Sequence, residues 1–176
     1  MTIRSFNNII PTIGENVYID EQSAVIGDVH IGNDSSVWPF TSIRGDVNKI
    51  RIGNRTNIQD NSTIHVSHDS EHQPGGVATI IGDDVTVGHQ VILHACTIGN
   101  RCLIGMGSII MDKVVVEDDV IVGAGSLVTQ GRTLESGYLY IGRPAKRLRV
   151  LSDEEKEYLK YSAHHYVNLK NKYLAE

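Results

Sequence analysis

The chain has 176 residues, 40% hydrophobic, 6% aromatic and 21% charged, which suffices for one well-cored domain and excludes a disordered chain. Its 16 basic and 21 acidic residues leave a net charge of −5, the wrong balance for a nucleic-acid-binding surface, and no apolar run approaches the roughly 20 residues that cross a bilayer. The opening MTIRSFNNIIPTIG has no apolar signal core, and Cys96 and Cys102 are too few for a disulfide scaffold, so a cytoplasmic location with reduced thiols is expected.

From the N-terminus onward, aliphatic residues recur every six positions. The first run is Ile13, Ile19, Val25, Ile31, Val37 and Ile43. After a slip of three it resumes at Ile52, Ile58 and Ile64, and after a longer break at Ile81, Val87 and Leu93. One five-residue step leads to Ile98, Ile104, Ile110, Val116, Val122, Val128, Leu134 and Tyr140. Glycine often follows the aliphatic residue, which accounts for 17 glycines beside only 4 prolines. Each hexapeptide reads as a short strand plus a tight corner, with the aliphatic side chain pointing inward. Three make one triangular coil, and coils stack about 4.8 Å apart like strands in a sheet. No coil buries its own interior, so the stack acquires a one-dimensional core. The predicted fold class is an all-β solenoid, a parallel β-helix of between six and seven coils occupying residues 1–150.

Three irregularities interrupt the phase: a short one at Val47–Arg51, a polar excursion at Ser67–Thr79 that carries His68 and His72, and the short step at Leu93–Thr97. All fall between positions 44 and 97. Solenoid insertions gather on one side, often the working side, so a site is expected there. Two histidines are placed by the phase. His65 directly follows Ile64 and His94 directly follows Leu93, and with the excursion discounted they lie one whole coil apart on the same face. Stacked imidazoles there suit two ligands of one metal, with bonds of about 2.0–2.1 Å. His89 lies two residues after Val87, on the adjacent face, and reaches such a pair only across an interface. His30, His68, His72, His164 and His165 read as solvated side chains.

The repeat ends near Arg143-Pro144. The remainder, residues 151–176, reads as a helix packed along the solenoid, with Ser152 and Glu155 as a capping box and Asp153 and Glu154 at the positive end of the helix dipole. Leu159, Ala163, Tyr166, Leu169 or Lys170, and Tyr173 share its predicted inner face.

The stretches IRGDVNKIRIGNRTNIQDNSTIH, TVGHQVILHACTIGNRCLIGMGS and ESGYLYIGRP carry a family resemblance. The chain resembles the gamma-class carbonic anhydrases, in particular their short bacterial YrdA-like branch, over nearly its whole length. The resemblance implies a left-handed β-helix and a homotrimer with a metal at each subunit interface. His65 and His94 would come from one subunit and His89 from its neighbour. The metal implied is zinc, with iron(II) and cobalt also suited to three histidines and a water. Hydroxide generated there would hydrate carbon dioxide to bicarbonate, making the protein a lyase. By the same resemblance Gln59 contacts the hydroxide, Arg44 and Asp60 form a salt-bridged pair between subunits, Asp46 belongs to that network and Tyr140 lies near the metal. The archetypal enzyme has glutamate where this chain has Val47, and a longer acidic loop that exports the proton. Low activity is therefore expected, with His68 the candidate replacement for the proton carrier. The competing readings are a metal-dependent thioesterase, a hexapeptide acyltransferase and a metal-bearing, non-catalytic assembly protein.

Overall fold

The six-residue phase becomes three ladders of parallel strands in the computed structural model, which describes residues 2–176. On one face the rungs are Ile3, Val25, Ile43, Ile64, Leu93, Ile110 and Val128. On the second they are Ile13, Ile31, Ile52, Ile81, Ile98, Val116 and Leu134. On the third they are Ile19, Val37, Ile58, Val87, Ile104, Val122 and Tyr140. From Val25 onward nearly every rung is buried, and together they form one continuous core. The architecture is a parallel β-solenoid with one C-terminal helix. The strand Ile3–Arg4 adds a rung earlier than the six-residue phase predicts.

The corners are as regular as the faces. Asp34, Arg55, Asp84, Arg101 and Asp119 all adopt left-handed φ values between 52 and 58° and stand above one another. Their charges alternate. Arg55 binds Asp84 at 2.7 Å and Arg101 binds Asp119 at 2.7 Å, while Asp34 receives Lys170 of the helix at 3.2 Å. Beside them, Asn33, Asn54, Asp83, Asn100 and Asp118 each accept a backbone N–H from the preceding coil. The coils approach so closely here that a Cβ on Gly32 would lie 2.6 Å from the Gly53 carbonyl carbon, which is why glycine precedes the corner.

The helix Asp153–Leu174 (α1) starts at the expected capping box, with Ser152 accepting from Glu155 N and the Glu155 carboxylate accepting from Ser152 N. Its inner face buries Leu159, Ser162, Ala163 and Lys170. Tyr166 and Tyr173 pack edge-on against Trp38, with ring centroids 5.6 and 5.1 Å apart. Between solenoid and helix the chain folds back. The strand Ala145–Val150 runs antiparallel to Tyr138–Gly142, after a turn in which Gly142 takes a φ of 107°. The hexapeptide phase gives no sign of this hairpin. It covers an edge that would otherwise expose unpaired backbone.

Candidate metal centre

The strands Thr63–His65 and Ile92–His94 pair in register, placing His65 directly opposite His94. The chain leaves the stack immediately afterwards. The excursion is a tight loop, closed by antiparallel bridges Ser67–Val77 and Ser70–Gln73 and held by Asn48, whose Nδ2 donates to the carbonyls of Ser67 and Gly75. Carboxylates flank the two imidazoles. His94 Nδ1 lies 2.9 Å from Asp112 Oδ2, and Asp112 Oδ1 also accepts from the Ser67 hydroxyl at 2.8 Å. His65 Nε2 lies 3.0 Å from Asp46 Oδ1, and Arg44 is ion-paired to the other oxygen of the same carboxylate.

These contacts leave His65 Nδ1 and His94 Nε2, which face each other at 3.3 Å. Two nitrogen ligands about 2.0–2.1 Å from a tetrahedral metal stand about 3.3–3.4 Å apart, so the pair has the spacing of one edge of such a site. The electrostatics suit it too. Burial pushes His65 below the ordinary histidine range; Asp46 opposes this and the Arg44 charge adds to it, so the imidazole keeps the neutral form a metal requires. Burial pushes Asp46 up, but the bonds from His65 and Arg44 outweigh it and hold the carboxyl below its usual range. Asp112 behaves alike, with Ser67 and His94 outweighing its burial.

His89 occupies a different wall, at the corner after the strand Thr86–Val87. Its Nδ1 lies 2.9 Å from Asp60 Oδ2, and its side chain is 47% exposed. It lines a cavity of about 260 Å³ together with Gln59, Met106, Ser162 and Tyr166. Within the chain, no group of three His, Cys, Asp or Glu side chains among the described residues gathers into a metal cage. The chain thus carries a stacked pair of imidazoles on one wall and a single imidazole on another. Ile92, two residues before His94, and Met106, on the coil after His89, are exposed apolar side chains.

The remaining expected residues divide. Asp46 and Arg44 back the histidine pair, and Asp60 backs His89; within the chain Arg44 and Asp60 serve different histidines. Tyr140 stands apart from the histidines within the chain. It stacks inside the core three rungs beyond Val87, about 14 Å along the solenoid, and its hydroxyl accepts from Glu135 N. His30, His68, His72, His164 and His165 are exposed, and among the described residues only His65, His89 and His94 contact a carboxylate. Sequence reasoning missed Asp112, which lies on the next coil one position past the residue stacked on His94. It also missed Asn57, whose Oδ1 accepts from Gln59 Nε2 at 3.0 Å.

Comparison with known proteins narrows the identity. The hexapeptide repeat of bacterial transferases (six repeats) matches residues 10–45 and 95–130. Protein YrdA of Escherichia coli (strain K12) is 57% identical over 172 residues, 98% of this chain and 94% of that one. Gamma carbonic anhydrase 1, mitochondrial, of Arabidopsis thaliana is 45% identical over 167 residues, 94% of this chain and 60% of that longer one. The chain belongs to the gamma-class carbonic anhydrase family, in its YrdA-like branch. Among solved structures, a hexapeptide transferase family protein from Anaplasma phagocytophilum superposes with a TM-score of 0.90 at 43% identity, covering 98% of each chain. The gamma-class fold and the hexapeptide transferase fold are thus one scaffold, and chemistry is decided by the side chains mounted on it.

Proposed function

We propose that this chain is a metal-dependent lyase that interconverts carbon dioxide and bicarbonate at centres shared between the subunits of a homotrimer. The observation that carries this reading is the set of three imidazoles, each with one ring nitrogen on an aspartate: His65 on Asp46, His89 on Asp60 and His94 on Asp112. Carboxylate-backed histidines of this kind are the usual support of metal ligands, because the second nitrogen is then fixed in tautomer and direction. The pair and the single histidine stand on different walls of one subunit, so a closed ring of copies brings each His89 to a neighbour's pair. Zinc suits the donor set, as do iron(II) and cobalt. A metal so held acts as a Lewis acid and makes hydroxide available near neutral pH.

The protein's own side chains do the rest. Asp46 and Asp112 orient the pair, Asp60 orients His89, and Gln59 brings a neutral amide into the cavity beside His89. An acyltransferase on this scaffold needs one histidine as general base and leaves the other two carboxylate-backed imidazoles without work. The net charge of −5 gives no support to a nucleic-acid partner, and no described helix is long and apolar enough to cross a membrane.

Removing the proton is the weak point. Val47, exposed next to Asp46, has no titratable group, and the first imidazole along the excursion in sequence is the exposed His68. Stopped-flow hydration of carbon dioxide by zinc-loaded and anaerobically iron-loaded protein, titrated with buffer at fixed pH, is expected to show a low rate that climbs with buffer concentration. Val47→Glu raises the rate in weak buffer and changes little in strong buffer, and His68→Ala lowers it in weak buffer. A rate independent of buffer and of both substitutions overturns this proton path. Metal-loaded protein with no rate in any buffer overturns the hydration reading.

A further inference from the structure

Gln59 is a neutral polar side chain lining the cavity that His89 also lines, and only one end of its amide is engaged within the chain. Its Nε2 donates to Asn57 Oδ1 at 3.0 Å, while among the described residues nothing donates to its Oε1. An amide is useful in a site only if it presents the correct end, because one end accepts hydrogen bonds and the other donates them. What decides the end here is a buried chain of contacts running away from the cavity. Asn57 Nδ2 donates to Thr86 Oγ1 at 3.1 Å and to the Val85 carbonyl at 3.4 Å, so its Oδ1 is turned toward Gln59. The Thr86 hydroxyl in turn shares a 3.0 Å hydrogen bond with Ser162 Oγ on α1. Asn57, Gln59, Thr86 and Ser162 are all 7% exposed or less. A flipped Asn57 would set its amide hydrogens against those of Gln59 and its oxygen against the Val85 carbonyl, two mismatches in a nearly dry environment.

The geometry points to Ser162 and Thr86 as positioning residues: through Asn57 they hold the Gln59 amide with its oxygen free, so that the cavity beside His89 offers an acceptor to an O–H or N–H group. This rests on the lyase reading for its purpose but not for its geometry. It also gives α1 work beyond packing, since the helix supplies the outermost hydroxyl of the chain. Ser162 occupies the inner face between Leu159 and Ala163, where an apolar residue would pack equally well, and hydroxyls are not favoured inside helices without a partner.

The test reads Gln59 directly. In the full-length protein the side-chain NH₂ signals of Gln59 and Asn57 are recorded by NMR and assigned by their loss in Gln59→Met and Asn57→Leu. Ser162→Ala is benign for a helix, and Thr86→Ser keeps the hydroxyl while Thr86→Val removes it. Ser162→Ala and Thr86→Val are expected to shift both NH₂ pairs and to speed their exchange with water, with other amide signals and the thermal midpoint nearly unmoved. Thr86→Ser should restore both. In the hydration assay the same two variants should lose kcat roughly 10-fold at unchanged KM, the low end of what removing a supporting contact costs. NH₂ signals and exchange that are unchanged in both variants overturn the inference, whatever the rates. Shifted signals in a protein that never hydrates carbon dioxide leave the positioning role standing and remove the lyase reading.

Discussion

His89→Ala is expected to strip nearly all bound metal from the protein while leaving its fold and subunit association in place. The side chain is 47% exposed and its one hydrogen-bonding partner is Asp60, so its removal opens no cavity in the core. What it removes is the third nitrogen, and two histidines seldom hold a divalent ion tightly. Elemental analysis after desalting should show metal reduced by about 10-fold or more, with His65→Ala and His94→Ala behaving alike, since bound metal normally requires at least three protein ligands. His30→Ala, exposed and without a carboxylate, should keep the full content. Unchanged metal in His89→Ala would mean that the ligand set is wrong.

Asp112→Ala carries the second large effect, and the resemblance to known family members does not anticipate it. Asp112 holds His94 Nδ1 at 2.9 Å and is itself held by Ser67, the first residue of the excursion. Without it the His94 ring is free to rotate and to place its proton on the nitrogen the metal needs. Competition with a chelator should show metal affinity roughly 10–100-fold weaker, the range expected when a carboxylate behind a ligating histidine is lost. Asp112→Asn keeps an acceptor oxygen and should recover part of it. Ser67→Ala should cost less than either, because it loosens the carboxylate without removing it. An affinity unchanged in Asp112→Ala would leave the His94–Asp112 contact with no part in metal binding.

The ladders and the register of the histidine pair were legible because a solenoid turns sequence spacing into spatial position. Counting in sixes puts Ile64 beside Leu93, and His65 beside His94 follows. The same arithmetic, taken one coil further, sets Leu93 over Ile110 and His94 over Met111, so Asp112 falls one position out of phase and reads as an ordinary corner residue. Tyr140 shows the limit of the method. The phase correctly places the residue inside the stack, but being inside says nothing about nearness to the histidines, and the hydroxyl is taken by Glu135 N. The polar inner face of α1 was hidden for a different reason. Helical periodicity marks Leu159 and Ala163 and leaves Leu169 or Lys170 open, whereas Ser162 is out of that pattern and is buried where the Thr86 hydroxyl receives it, as Asp34 receives Lys170. Lys170 is 0% exposed, so of the two inner-face candidates, Leu169 and Lys170, the lysine is the one that turns fully inward. The hairpin that ends the solenoid lies outside any six-residue phase, because its pairing is antiparallel.

The claim that the centre is shared between subunits is tested most directly by mixing two inactive proteins. His89→Ala keeps an intact His65–His94 pair, and His94→Ala keeps an intact His89. Each alone should bind almost no metal, because every interface in its ring lacks one ligand. In a mixed ring of three, one interface joins the good pair of one subunit to the good His89 of the next. Unfolding the two variants together in equal amounts and refolding them with zinc should therefore restore about a quarter of the wild-type metal content, since roughly three rings in four are mixed and each such ring carries one complete interface of three. Hydration activity should return in the same proportion. Mixed rings, verified by a tag on one variant, that recover neither metal nor activity would contradict a centre shared between subunits.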